Sequence, residues 1–551
     1  MPSARTILAT IRHVPAEQLM RRLELTIKRK ARVRLELQFP GVLRSPPRAR
    51  PRPLSQWPTP LFEPRAHLAT DGHALFLRRR VPMVPDWSPD WPDLDVVTLH
   101  YHEYLESMPD DVVQDVIADW ILNVPPYGPR YWVGGWNAYA LSLRMLVWMQ
   151  LMAVRRADLD PAFVQHTERS IADQLSFLFR NVETDIRGNH LIKNIKTLLW
   201  GGRCFDGADA EAWTERAEQL LDVELDKQIL PDGMHFERSP AYHLQVFADL
   251  LETHSVITDV ALRGRLGVHL DRMARAAALT THPDGCPSHF NDGALHMAYT
   301  ARQCLSVWRT QREDCERPHT EGAHALPDAG YYTWRQGDDL LVVDCGPLCP
   351  DELPGHAHGD ALAVEWSVAG HRVLVDRGVL EYRSGDARQS CRATAQHNTL
   401  TLDNADQAEF YGSFRVGRRP EVTALTWMPR PDGLLLQGQH DGFRHLAGAP
   451  THVRTVDIRG RVLRLKDRVV GGKSQLAVSR LLLHPDVRVE QEGERLRIGA
   501  LTIDVEHDGT LNVEPSEWWP DFGETITTQQ LVFTWGNAPC EGRVTLSVRA
   551  T

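Results

Sequence analysis

Between Gly355 and His397 the chain gathers an unusual set of side chains: Gly355-His356-Ala357-His358-Gly359-Asp360, then Asp376 in Val-Leu-Val-Asp-Arg-Gly, then His397 in Ala-Gln-His-Asn-Thr. Imidazoles and a carboxylate in this number are the ligands of a zinc-type site, with one imidazole left over for acid-base work. His356 and His358 are two residues apart, so on an extended segment both rings project from one face. A chain with 25 histidines also makes such pairs by chance, and it is the neighbouring residues that single this one out. Spacing alone does not gather the set. The segments 361–368 and 371–375 read as a hairpin turning at Ala369-Gly370. Simple register then places Asp376 opposite Ala363, roughly 17 Å along the strand from His358 at ~3.3 Å per residue. A bend or bulge near Gly359 is required to bring the ligands together.

Two segments of the first half also carry chemistry. Gly188-Asn189-His190-Leu191-Ile192-Lys193-Asn194 precedes an apolar helix and sets an amide and an imidazole near a helix start, where an anion can be met. The plainer reading is that Asn189 caps the helix and His190 packs. Asp232-Gly233-Met234-His235-Phe236-Glu237-Arg238-Ser239-Pro240-Ala241-Tyr242-His243 places an arginine, carboxylates, a tyrosine and two histidines around a turn. A helix is expected to open at Ser239-Pro240.

The elements that must position these residues fall into two textures. From about 95 to 315 the pattern is helical, with stripes such as Trp213, Ala217, Leu220, Leu221 and Leu225. Breaks such as Leu230-Pro231-Asp232-Gly233 join helices into a bundle or toroid. From Tyr331 onward short segments alternate with period two, among them 340–343, 361–368, 372–375, 399–402, 434–437 and 530–534, and read as strands of a β-sandwich. The fold class is α+β and multidomain. A basic arm and proline-rich connector are expected over 1–94, the helical domain over 95–325 and the sandwich over 326–551.

A chain of 551 residues is too long for one core. With 42% hydrophobic and 24% charged residues its composition is that of a soluble globular protein. A net charge of −10 argues against nucleic acid and against general binding to anionic membranes, although a local basic groove can still hold an anionic substrate. Eight scattered cysteines form no C-x-x-C pair, so neither a disulfide framework nor a cysteine zinc module is expected. The first 34 residues are amphipathic and basic, with Arg21-Arg22 and Lys28-Arg29-Lys30-Ala31-Arg32. No secretory signal or transmembrane run of roughly 18 apolar residues is visible. The arm suits a membrane surface or a partner, a solvated helix being the plainer reading.

Taken in order, Asn-His-Leu-x-x-Asn, Asp-Gly-x-His-Phe-Glu-Arg-Ser-Pro-x-Tyr-His, Gly-His-x-His-x-Asp, Val-Asp-x-Gly and His-Asn-Thr resemble the heparinase II/III-like family of polysaccharide lyases, related to alginate lyases. Leu99 to Leu105 and Gln407 to Gly417 add further matches. The resemblance implies an N-terminal α/α toroid followed by a C-terminal antiparallel β-sandwich, and β-elimination at a uronate inside an acidic polysaccharide. It implies that Asn189 and His190 neutralise the uronate carboxylate, with His190 an alternative base, and that Tyr242 is the catalytic acid. It gives His356 a catalytic or substrate-positioning part, makes Tyr382 a second base candidate, and makes His358, Asp376 and His397 the ligands of a metal, zinc in expectation, that orders the cleft. An aromatic expected in place of Cys391 is absent. Arg238 or a histidine is expected to supply positive charge for Tyr242, Arg238 is also read as a substrate contact, and Trp132 and Trp136, flanking Gly134-Gly135, are read as sugar-stacking rings. Trp148 reads as core. The resemblance also implies a cell-envelope or periplasmic location, against which the lack of a visible signal peptide leaves the cytoplasm open.

Two other readings stand beside the lyase. A glycoside hydrolase needs two carboxylates flanking the bond, for which Glu237 and Asp232 are available. A non-catalytic glycan-binding or assembly factor for polysaccharide export keeps the fold without turnover. Which uronate polymer is bound, whether cleavage is internal or terminal, and the oligomeric state are left open by the sequence.

Overall fold

The structure is a computed structural model and describes residues 4–43, 45–64, 69–70, 73–76, 79–81, 86–87, 93–312 and 317–549. The proline- and tryptophan-rich stretch Val81 to Pro92 and the residue Cys315 lie largely or wholly outside them. The other seven cysteines are unpaired. Helices run from Asp93–Leu99 to Ala301–Gln311, and strands follow from Gly322–Leu326 to Cys540–Val548. This is the helical-then-β order read from the periodicity. Contacts divide the chain into two compact units, residues 15–227 with 248–268, and residues 1–14 with 228–247 and 269–551.

In the first of these units, helix starts follow the side-chain chemistry. Asn137 caps Ala138–Arg155 by accepting from the Tyr139 and Ala140 amides, and Asp160 caps Pro161–Arg180 with proline at the first position. The stripe Trp213, Ala217, Leu221 and Leu225 is buried, with Leu220 half-buried at its edge. Arg144 is fully buried and donates to the His100 and Gly135 carbonyls and to Gln174, its guanidinium 3.9 Å from the Trp120 ring. A buried guanidinium is tolerated because its donors are used. The basic arm is a largely exposed helix, as expected, but one side of it is docked. It forms Ala16–Gln38, where Arg32 donates to Asn181 Oδ1 at 2.7 Å and Arg22 to the Asp185 carbonyl at 3.2 Å. These bonds dock one side of the helix.

The other unit holds the sheets. Gly322–Leu326, Tyr331–Gln336, Asp339–Asp344, Val364–Val368 and His371–Leu374 form an antiparallel meander. An eight-stranded antiparallel sheet and a four-stranded one complete the sandwich. Trp334, Leu341, Val343, Val364 and Trp366 from the meander meet Leu434, Leu436, Val456, Ile458, Leu463 and Leu465 from the eight-stranded sheet in one core. Ala4–Ile11 belongs here as well, with Thr6 Oγ1 donating to Glu409 and Thr10 Oγ1 to the Val416 carbonyl.

The 361–368 strand starts later than the alternation suggests. It begins at Val364, and 355–363 is a run of turns in which the Ala363 amide donates to the Asp360 carbonyl and Leu362 takes a φ of 66°. His356 and His358 therefore do not lie on an extended strand. The bend demanded near Gly359 is present: the Gly359 amide donates to the Arg392 carbonyl, and a Cβ there would stand 2.4 Å from Thr394 Oγ1. The hairpin turns at Ala369-Gly370 as read, and its register shifts between Arg372 and Leu374, displacing Asp376 from the simple alignment.

Candidate active site and metal cradle

The turn before Pro240–Val256 brings Arg238, Glu237 and Tyr242 to one place. Ser239 Oγ accepts from the Tyr242 amide and donates to the Asp292 carbonyl, so the helix opens where Ser-Pro predicts. Arg238 sits at φ 56°, and its carbonyl accepts from Asn291 Nδ2 at 3.0 Å and Tyr331 Oη at 2.6 Å. A strained backbone is thus held by two donors.

Asp292 is the hub of the site. Its carboxylate, fully buried, meets His356 Nδ1 at 2.9 Å, His358 Nε2 at 2.8 Å and both terminal nitrogens of Arg388. Burial alone would push this carboxyl up, but Arg388 and the two histidines outweigh it and hold it well below the usual range. The Asp292 amide donates to the His356 carbonyl, the His358 amide to Asn291 Oδ1, and the Asn291 amide to Asp360. Loop 291–292 and turn 356–360 are therefore one rigid piece.

His356 stands between Asp292 and Glu237, whose Oε2 is 3.5 Å from Nε2, and lies against the Tyr242 ring at 4.0 Å between centroids. The Tyr242 hydroxyl is 3.1 Å from that of Tyr382. Burial raises both phenols above their ordinary value, the Arg388 guanidinium acting against it. Its guanidinium lies 5.1 Å from the Tyr382 ring. The cation that sequence reasoning sought in Arg238 is therefore Arg388; Arg238 donates instead to the Phe236 and Asp328 carbonyls.

His358, Asp360 and His397 each offer a ligand atom within 4.8 Å of the others, all three buried. His358 Nδ1 and His397 Nε2 are buried and make no hydrogen bond. Their opposite ring nitrogens bind carboxylates, His358 Nε2 to Asp292 and His397 Nδ1 to Asp376 at 2.9 Å. Orphaned imidazole nitrogens, each backed by a carboxylate on the far side of the ring, suit a divalent ion. Burial brings His358 down to about 4, keeping it a neutral donor, and pushes Asp360 up to about 6. The donor set thus fits zinc, with Asp360 in the ligand position that the family resemblance gave to Asp376. Asp376 orients His397 from behind.

In the unit of residues 15–227, His190 lies in the first turn of Gly188–Cys204, stacked on Tyr139 at 4.1 Å with Nδ1 3.3 Å from Glu183. Asn189 is buried inside that helix. Arg187 occupies the capping position, so Asn189 is not the cap. Asn194 links Glu183 and Ser142. Trp136 is not a groove ring: it is buried, donates to the Val124 carbonyl and meets Phe177 at 4.9 Å. Trp132 is half-buried, with Arg29 over its ring. Trp148 is core, as expected. Cys391, also buried, accepts from the Leu380 amide.

Sequence reasoning missed Asp292 and Arg388 and gave Asp360 no part. Phe290-Asn291-Asp292-Gly293 reads only as a turn, and Arg388 sits in a polar helix, Asp386–Arg392, without periodic signal.

A model of the heparinase II/III N-terminus matches residues 101–313, and one of the heparinase II/III-like C-terminal region matches 318–545. The heparin-sulfate lyase of Pedobacter heparinus is 28% identical over 270 residues, covering 44% of this chain and 40% of that protein. FtsZ-localized protein C of Caulobacter vibrioides is 25% identical over 322 residues, 53% of each. These matches span about half or less of the relatives' own length. The crystal structure of heparinase III superposes with a TM-score of 0.69 at 18% identity, over 84% of this chain and 79% of that one, a likeness of fold: an α/α toroid with a C-terminal β-sandwich. Because the two halves of one family's model fall in order on either side of the change from helices to strands, the chain belongs to the heparinase II/III-like family.

Proposed function

We propose that the protein is a polysaccharide lyase that cleaves a uronate-containing acidic polysaccharide, of glycosaminoglycan, alginate or exopolysaccharide type, by β-elimination. The observation that carries this reading is the constellation of Tyr242, Tyr382 and His356 gathered on Asp292, Glu237 and Arg388. Family relatives named heparin-sulfate lyases support it.

In such an elimination the proton on C5 is removed, the C4–O4 bond breaks, a C4–C5 double bond forms and a proton goes to O4. The hard step is the developing charge on the uronate carboxylate, which hydrogen-bond donors must stabilise. By family resemblance that part falls to Asn189 and His190. Tyr242, kept protonated by burial, is the donor to O4. His356, held at both ring nitrogens by carboxylates, fixes the face of Tyr242. The base is His190 or Tyr382. His358, Asp360 and His397 would hold a divalent ion, which would supply fixed positive charge beside this loop. Trp132 and Arg238 are assigned to sugar contacts. By family resemblance the reading goes with a cell-envelope location, the cytoplasm being the alternative.

The hydrolase alternative loses its second carboxylate. Asp232 accepts from the Met234 and Ala329 amides and closes a turn, while Glu237 faces His356. A non-catalytic assembly factor stands as the second reading; one relative, FtsZ-localized protein C, is named for where it localises. The test is the ultraviolet absorbance of the conjugated uronate during incubation with heparan sulfate, hyaluronan, chondroitin, alginate and glucuronate-containing exopolysaccharides. Rising absorbance that Tyr242→Phe abolishes supports the lyase. New reducing ends without absorbance mean hydrolysis, and glycan binding without product means the assembly factor.

A further inference from the structure

The helix Ala16–Gln38 has its amphipathicity inverted. The side docked on residues 15–227 carries Gln18, Leu25, Arg29 and Arg32, with Gln18 and Leu25 each 4% exposed. The opposite side presents Leu19, Met20, Leu23 and Ile27 at 38%, 64%, 62% and 60% exposure. Helical spacing sets these four on one stripe over three turns. Single exposed apolar residues are ordinary, but a contiguous stripe facing water calls for something to cover it. Further along the same side stand Lys30 and Arg34, both exposed. Between Ala16 and Gln38 the sequence holds seven basic residues against three acidic, in a chain whose net charge is −10. Glu24, the acidic residue nearest the stripe, is paired with Arg21 and Lys28.

We propose that this stripe is a peripheral docking surface for an anionic lipid bilayer, with the helix lying in the interface plane. An apolar strip flanked by lysine and arginine matches that environment from both sides: the acyl boundary takes Leu19, Met20, Leu23 and Ile27, and the headgroup phosphates take Lys30 and Arg34. An acidic glycan satisfies only the second half, since it offers nothing for four large apolar side chains. Among the described residues no helix is long and apolar enough to cross the bilayer. The surface is independent of the elimination chemistry, and it would hold the enzyme against the membrane face at which anionic lipid lies.

Vesicle flotation of the full chain tests this, comparing phosphatidylcholine alone with phosphatidylcholine containing about a third phosphatidylglycerol. The expected result is flotation with the anionic vesicles, weakened about tenfold at high salt. Leu23→Gln with Ile27→Gln should weaken it about tenfold, and Lys30→Glu with Arg34→Glu should remove the preference for phosphatidylglycerol. Both pairs point to water, so thermal melting should not move. Absence of flotation, flotation that neither pair weakens, or a sedimenting dimer dispersed by the apolar pair would each overturn the proposal, the last by showing that a second copy covers the stripe.

Discussion

The hydroxyl oxygens of Tyr242 and Tyr382 stand 3.1 Å apart, one on a helix that opens the site and the other on the sandwich side of the same unit. Burial lifts both phenols above their ordinary value, so at neutral pH each keeps its proton and one donates to the other. Removing either hydroxyl leaves the second without its partner but leaves the rings packed. Tyr242→Phe should therefore lower kcat by about 10²–10⁴ with KM and the melting temperature little changed. Tyr382→Phe should match it only where Tyr382 is the base. Steady-state kinetics of the two variants, read beside His190→Ala, assign the roles.

The metal cradle yields a sharper distinction between two aspartates. Asp360 contributes a carboxylate to the cluster with His358 and His397, whereas Asp376 binds the far nitrogen of His397. Metal analysis after dialysis should find about one divalent ion per chain in the parent and none in His397→Ala or Asp360→Asn. Asp376→Asn should retain the ion with affinity reduced about 10–100-fold. Equal loss in both aspartate variants would make Asp376 a ligand as well.

Much of the architecture was legible because it is periodic. The stripe through Trp213, Ala217, Leu221 and Leu225 and the alternation of 434–437 follow from burial on one face, and the structure has them as helix and strand. The helix opening at Pro240 follows from a local rule about caps. What sequence could not give was the long-range hub. Asp292 touches residues 64, 66 and 96 positions later in the chain, and no local pattern marks a carboxylate whose partners come from other loops. The groove reading of Trp136 failed for a related reason. Gly134-Gly135 stands beside it, but a Cβ on Gly135 would meet Val124 at 2.8 Å and Trp120 at 3.0 Å, so this glycine marks close packing.

Arg388 and Asp292 form a buried bidentate pair, and breaking one half leaves the other charge stranded. Arg388→Met should cost about 3–5 kcal/mol of stability. Chemical denaturation followed by tryptophan fluorescence measures it. A loss under about 1 kcal/mol would mean that the two histidines alone satisfy Asp292.

Trp132 and Trp136 should separate cleanly. Trp136→Ala removes a buried ring packed on Phe177 and should destabilise by about 3–5 kcal/mol. Trp132→Ala removes a half-buried ring and should leave the melting temperature nearly unchanged while raising KM for the polymer by about tenfold, the scale of a lost stacking contact. A destabilised Trp132→Ala with unchanged KM would count it as structural.

Acid should loosen the sandwich through Asp467. This buried carboxylate accepts from Arg454 at 2.7 and 2.9 Å, from His452 at 2.7 Å and from Ser479 at 2.6 Å. Arg454 in turn donates to the Leu362 and Asn398 carbonyls, which brace the turn beside the cradle. Burial opposes the charge on Asp467, but Arg454 and the other donors outweigh it and hold its carboxyl well below the ordinary range. A depressed folded-state value means that the stabilisation is complete above the unfolded value of about 3.9 and fades as pH falls below it. Asp467→Asn should be less stable than the parent at neutral pH by about 3–5 kcal/mol, and the gap should narrow steadily below pH about 4. Denaturant midpoints across that range check the sign. A gap that stays constant with pH would show that the lost packing of the side chain, and not its charge, sets the difference.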